Sequence, residues 1–292
     1  MEAKRIDLTE WEYFGEGGSS KSYTYKMDGN IVLKLNSKDI PAAKTEQEYL
    51  ASKAFHDAGF PSPAIFDLVT DGERLGYTSR RVKGKMSYAR ILSQEPDRTD
   101  ELASKFAALA LDLHRTPADV TKMTDARAEL RKAIGELSNV PKGVAEVVEK
   151  CFAAIGPETS CLHGDMNPGN LISFEGRDNW IGVNEFAYGD PFLDIATMHI
   201  ICNCLPAKMV SSLYHADRRR LKLFYKAFKK AYFGECWNSN DVRDHISCAA
   251  VVRLCAYAAD KPGYADILAS SARKQKIRFF LRRIFPATGG KR

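Results

Sequence analysis

The chain of 292 residues lacks the features that would place it in a secreted, membrane or fibrous class. Its seven cysteines are scattered and odd in number, without the paired C-x-x-C spacing of a zinc site, so reduced thiols are expected rather than a disulfide framework. Cys202-Asn203-Cys204 is the only close pair, and it reads as small buried hydrophobes. With 12 Pro and 20 Gly there is no low-complexity tract, and no internal repeat, which excludes solenoids and long disordered linkers. The opening Met1-Glu2-Ala3-Lys4-Arg5-Ile6-Asp7 lacks an apolar leader. The most apolar later stretches are broken by His199, Asn203 and Pro206 or by Arg253. A soluble cytoplasmic protein that does not engage a membrane is therefore expected. A Walker A loop is missing as well, since no Gly-Lys-Ser/Thr leads into a helix.

What is present is a globular composition, 45% hydrophobic and 27% charged, long enough for one large domain or two lobes. The net charge of +6 hides an asymmetry. Residues 205–292 hold 19 Lys and Arg against 6 Asp and Glu, net +13, while the upstream residues are net −7. Arg218-Arg219-Arg220 and Arg273-Lys274-Gln275-Lys276-Ile277-Arg278 are the densest basic runs. Their interleaving with apolar residues at helical spacing favours solvated helix faces over a nucleic-acid patch.

The most informative stretch is Cys161-Leu162-His163-Gly164-Asp165-Met166-Asn167-Pro168-Gly169-Asn170-Leu171-Ile172. Apolar residues bracket it as short strand ends, and Gly164, Pro168 and Gly169 keep a helix from absorbing the polar residues between. A carboxylate and an amide five positions apart on such a loop suit phosphoryl transfer, with Asp165 accepting the proton of an attacking hydroxyl and Asn170 offering an oxygen to Mg²⁺.

The spacing His163, Asp165, Asn170 is H-G-D-x-x-x-x-N. It resembles the aminoglycoside phosphotransferase and choline kinase branch of the protein kinase-like fold. The resemblance implies an α+β bilobal architecture. Residues 1–82 would form a nucleotide-binding N-terminal lobe with a five-stranded antiparallel sheet and one helix. Residues 83–292 would form a larger, mostly helical lobe carrying the catalytic loop and the acceptor pocket.

The N-terminal pattern agrees with such a lobe. Trp11–Phe14, Tyr23–Lys26 and Ile31–Leu35 read as strands. The first connection contains Gly15, Gly17, Gly18, Ser19 and Ser20 and serves equally as a hairpin turn or a phosphate loop. Lys34 sits among apolar neighbours and resembles the strand lysine that holds α/β-phosphates. A buried lysine needs a partner, and of Glu46 and Glu48 on the following helix the first choice is Glu48, whose distance from the Gly59-Phe60-Pro61 stop resembles that in related sequences. Two further strands, Pro63–Val69 and Leu75–Val82, complete the sheet. By resemblance, Ser79 to Lys85 is the hinge, with Arg80 and Val82 offering backbone groups to the adenine edge.

After Ser87 the chain reads as mostly helical, and His114, ending a core-facing helix, reads as structural. The block from Trp180 to Ala196 resembles the family's second motif, which begins with I-D and ends with G-D-P-x-x-D-x-A. Here Gly182 stands where the metal-binding Asp belongs, and Glu185 is the candidate replacement ligand. Asp190 and Asp194 would brace the catalytic loop.

The resemblance thus implies an ATP-dependent phosphotransferase acting on a hydroxyl of a small molecule, with ATP and Mg²⁺ as cofactors. The basic C-terminal part favours neutral or anionic acceptors over polycations. Gly182 motivates a second reading, a catalytically weak or inactive pseudokinase that binds nucleotide, and predicts that Gly182→Asp strengthens both metal-nucleotide binding and turnover.

Overall fold

A computed structural model describes residues 2–16, 20–137, 142–174 and 176–284. The chain groups into two compact units, Met1–Ile91 with His163–Phe186, and Leu92–Leu162 with Ala187–Arg292. This grouping counts the segment around Asp165 with the N-terminal residues.

In the first unit, β1 (Lys4–Arg5), β2 (Trp11–Glu16), β3 (Ser20–Tyr25), β4 (Ile31–Asn36), β5 (Ile65–Thr70) and β6 (Leu75–Arg80) form a single six-stranded sheet. Its order is β1-β5-β6-β4-β3-β2. The five expected strands are antiparallel neighbours, and β1 adds a parallel edge to β5. Two adjacent charged residues carry no alternation, so β1 gives no signal in the sequence.

Alternation along β4 decides where its lysine points. Leu33 and Leu35 are fully buried against Trp11 and Val69. Lys34, one residue out of phase, faces the other side, where it is paired in register with Tyr77. Helix α1 (Ala42–Asp57) contributes Tyr49 to a cluster with Leu68 and Tyr77. Pro41 precedes its first turn, and the chain leaves the helix through Ala58 and Gly59.

Strand β7 (Met86–Ser87) pairs with Leu171–Phe174, which forms a hairpin with Arg177–Trp180. The polar loop lies just before this hairpin, so a small sheet anchors its exit.

The helices continue with α2 (Tyr88–Gln94), and the second unit holds α3 (Thr99–Arg115), α4 (Ala126–Glu136), α5 (Lys142–Ala153), α6 (Phe192–His199), α7 (Ala207–Tyr214), α8 (Arg218–Phe233), α9 (Asn240–Asp260) and α10 (Ala265–Ile284). Asp125, Asp217 and Ser239 cap α4, α8 and α9 by accepting backbone N–H bonds. Spacing at i, i+4, i+7 gives α3 an apolar stripe, and Phe106 meets Phe224 and Phe228 of α8 edge-on, each at 5.5 Å between ring centroids. Helix α9 (Asn240–Asp260) is continuously buried through its middle, from Ile246 to Cys255. A short sheet joins Thr124–Asp125, Ala187–Gly189 and Ser160–Leu162. Among the described residues no helix is long and apolar enough to cross a membrane, and all seven cysteines are free thiols.

Candidate active site

The loop after Leu162 is held from its own side chains outward. His163 is fully buried, packed against Trp180 at 5.0 Å and Phe55 at 6.0 Å between ring centroids. Its Nδ1 accepts from the Asp165 amide at 3.2 Å, and its Nε2 lies 3.2 Å from the Ile181 carbonyl. One neutral tautomer, protonated at Nε2, satisfies both contacts. The histidine is therefore a structural pin between the Asp165 loop and the residues before Gly182.

The Asp165 carboxylate is oriented by two amides. Asn167 Nδ2 donates to Oδ1 at 3.1 Å and Asn170 Nδ2 donates to Oδ2 at 2.8 Å. Each also bonds the Asp165 carbonyl, at 3.0 and 2.8 Å. A carboxylate held in this way is a proton acceptor with a fixed orientation. Asn167 was not singled out in the sequence, although an amide two residues after an Asp in a Gly-Pro loop is a familiar turn-former.

With both amide hydrogens committed to Asp165, Asn170 keeps Oδ1 as its acceptor, and that oxygen faces Gly182. Gly182 has φ +69°, and an ideal Cβ there would lie 2.7 Å from Asn170 Oδ1 and 2.9 Å from Nδ2. This backbone conformation favours glycine. Gly164, at φ +89°, is equally constrained, since its Cβ would meet Glu185 Cβ at 2.5 Å and the Glu185 carbonyl at 2.6 Å. Glu185 therefore reaches the loop through its backbone, and the residue is exposed.

These residues do not fit a preformed Mg²⁺ site. Mg²⁺ takes six hard oxygens in near-octahedral geometry. The chain offers one neutral amide oxygen, glycine where the motif calls for a carboxylate, and an exposed glutamate. Among the described residues no group of three or more His, Cys, Asp or Glu could hold a metal ion.

Lys34 and Glu48 form an ion pair at 2.7 Å, with side chains 28% and 13% exposed. Asn36 Nδ2 donates to Thr45 Oγ1 at 2.9 Å and to Glu48 Oε2 at 3.3 Å, fixing the carboxylate from a second direction. Burial pulls the Lys34 pKa down, but Tyr77 and Glu48 outweigh it and hold the ammonium above its ordinary value. Asn36, Thr45 and Tyr77 were not legible as partners, because register and helix phase decide who meets Lys34. One turn beyond Glu48, Ser52 donates to the Val183 carbonyl at 2.9 Å.

Of the glycine-rich connection, Gly17, Gly18 and Ser19 lie outside the described residues. Gly15 pairs with Ser22 across a bulge, and Ser20 begins β3 opposite Asn36. A Cβ on Gly15 would meet no atom within 4 Å, so the protein's own packing does not demand glycine there. Arg80 closes β6, and its N–H is taken by the Ala64 carbonyl at 2.8 Å. Val82 follows two residues past the strand.

In the second unit, the Asp190 carboxylate accepts from Gly156 N at 3.2 Å, Phe192 N at 2.9 Å and His245 Nε2 at 2.8 Å. Burial pushes its pKa up, but His245 and the two amides reverse that and leave it below the usual carboxylate value. The sequence reading had Asp190 bracing the catalytic loop, whereas its partners are a connection after α5, the start of α6, and α9. His114 is buried between Asp194, at 3.2 Å, and the Tyr232 hydroxyl, at 2.7 Å.

The chain is similar in structure to proteins that are 13–17% identical to it, which establishes a shared fold. A choline/ethanolamine kinase family protein from Mesorhizobium loti is 17% identical, with TM-score 0.58 over 91% of this chain and 87% of its own. An ADP-bound aminoglycoside phosphotransferase, APH(2'')-Ib, is 14% identical, with TM-score 0.59 over 90% of this chain and 92% of its own. A choline kinase from Cryptosporidium parvum Iowa II is 13% identical, with TM-score 0.55 over 96% of this chain and 93% of its own. A search of curated protein sequences finds no match. The fold is thus protein kinase-like. The sequence profile described as "Phosphotransferase enzyme family" matches residues 10–228, and the chain belongs to that family.

Proposed function

We propose that the protein is a cytoplasmic ATP-dependent phosphotransferase that moves the γ-phosphoryl group to a hydroxyl of a small molecule. The observation that supports this reading is the Asp165 carboxylate, presented on a short loop with each oxygen oriented by an amide. The acceptor hydroxyl would give its proton to Asp165 as its oxygen bonds to the γ-phosphorus, while the bond to the β-phosphate oxygen breaks and ADP leaves. Lys34, fixed by Glu48, would hold the α/β-phosphates, and the connection from Gly15 to Ser20 would cover them. Arg80 and Val82 mark the stretch that would receive the adenine. Residues 1–82 would then serve as the nucleotide lobe, and 83–292 would carry the catalytic loop and acceptor pocket.

Asn170 and Glu185 are the candidate protein ligands for Mg²⁺ arriving with the nucleotide, although the transfer step as written uses none. Gly182 favours a second reading, a nucleotide-binding protein with little turnover. The deciding experiment is phosphate transfer from ATP across a panel of hydroxyl acceptors. Acceptor-dependent ADP release supports the enzyme, while nucleotide binding without any transfer supports the second reading.

A further inference from the structure

The second unit contains a cavity of about 300 Å³ lined by residues that the candidate active site does not include. Helix α8 has no acidic residue, and its sequence sets Lys222, Lys226 and Lys229 at i, i+4, i+7. Helical geometry therefore places all three on one face. Their like charges at these spacings oppose helix formation. Arg243 of α9 and Arg278 of α10 line the same cavity, bringing five cations to it, and no carboxylate is among its lining residues. Among the described residues none of the five is in a salt bridge.

The remaining walls suit a flat, polar guest. Lys229 Nζ lies 4.8 Å from the Tyr225 ring centroid and 5.4 Å from that of Trp237, so its charge is met by aromatic faces rather than by an acid. Burial and then the neighbouring Arg243 pull the Lys229 pKa down. His199 is held to about 3, first by burial and then by Arg278 and Lys229, so it stays neutral. Its Nδ1 lies 3.4 Å from Asn203 Nδ2 and 3.5 Å from the Tyr225 hydroxyl. Arg278 is partly satisfied by the Ser247 hydroxyl. A fold that gathers five cations without a counter-charge leaves mutual repulsion that an anion would relieve.

We infer that this cavity is a binding site for a small polyanion, a molecule carrying two or more phosphate or carboxylate groups. Its size matches the lower end of small-molecule sites, and two arginines provide forks for planar or tetrahedral oxyanions. None of its lining residues is among those given a role in the transfer reaction above.

The test uses the full chain carrying Lys34→Ala, so that the proposed nucleotide-phosphate lysine does not contribute. Pyrophosphate and citrate are titrated separately by calorimetry in Mg²⁺-free, low-salt buffer, with heparin as a third arm. One-site saturable binding of pyrophosphate, citrate or both is expected, and the preference between them tells phosphate from carboxylate. In Lys229→Met/Arg243→Gln the binding weakens by about tenfold or more, while the unliganded thermal midpoint stays or rises because repulsion is removed. Bound anion also changes the tryptophan fluorescence, and Trp237→Phe abolishes that change. No saturable binding by either small anion, equal binding in the double variant, or binding of heparin alone would overturn the inference. Loss of transferase activity in an acceptor panel with anion binding intact would leave it standing.

Discussion

Asn170 holds its side-chain amide where the Cβ of any residue other than glycine at position 182 would lie, 2.7 Å from Oδ1. The motif position that lacks its carboxylate is thus also one whose local geometry excludes a simple restoration. Gly182→Asp would have to displace Asn170, one of the two amides that orient Asp165.

We expect Gly182→Asp to leave Mg²⁺-dependent ATP binding no stronger, which reverses the expectation drawn from the motif alone. A left-handed backbone costs an L-residue about 1–2 kcal/mol, and the displaced Asn170 bond to a charged group adds about 1.5–3 kcal/mol. Gly182→Ala should destabilise similarly in thermal denaturation, because the Cβ and not the carboxylate is at fault. Tighter metal-nucleotide binding in Gly182→Asp would show that the segment rearranges.

For Asp165→Ala we expect kcat to fall about 10²–10⁴-fold, the range of a positioned general base, with nucleotide affinity retained. Parallel calorimetry and turnover assays separate the two effects. Retained turnover would remove Asp165 from the base role.

Lys34→Ala should weaken ATP binding in a calorimetric titration, and Glu48→Gln should weaken it less because the ammonium remains. The folded pKa of Lys34 is raised above 10.5. The stabilisation tied to that shift is therefore full below 10.5 and is lost as pH rises through the folded value. Denaturation midpoints compared at neutral and strongly alkaline pH should show the wild type losing more than Glu48→Gln.

Asp190 titrates with the opposite sign. Its folded pKa is depressed below 3.8, so its contribution is present above that value and is lost as pH falls through the folded pKa. His245→Ala removes one of three donors from a nearly buried carboxylate and should cost about 1–3 kcal/mol at neutral pH. Melting curves at neutral pH would show no loss if His245 were a bystander.

Much of this was legible in the sequence, and the reasons for the rest are physical. Turn residues between short apolar runs gave the five antiparallel strands, and the stretch after Ser87, read as mostly helical, holds α2 to α10. A buried lysine's need for a counter-charge called for an acid on α1, and resemblance to related sequences chose Glu48 over Glu46. Helices α6 and α7 were not marked, since the first begins inside a block read for chemistry and both are only eight residues long. Most opaque was the conformation at Gly182. Composition records a missing side chain but not the positive φ or the amide of Asn170, both of which depend on how the hairpin between Asn170 and Gly182 brings its two ends together.

Ser52 and Glu48, one turn apart on α1, have a joint consequence. One hydroxyl holds the Val183 carbonyl beside Gly182, while one carboxylate holds the β4 lysine. A helix is too stiff to release one end without disturbing the other, so the two contacts share a single energetic account. If α1 moves as one body, a ligand that draws Lys34 toward it and a ligand that favours one arrangement of the Val183 segment would change each other's affinity by the same factor.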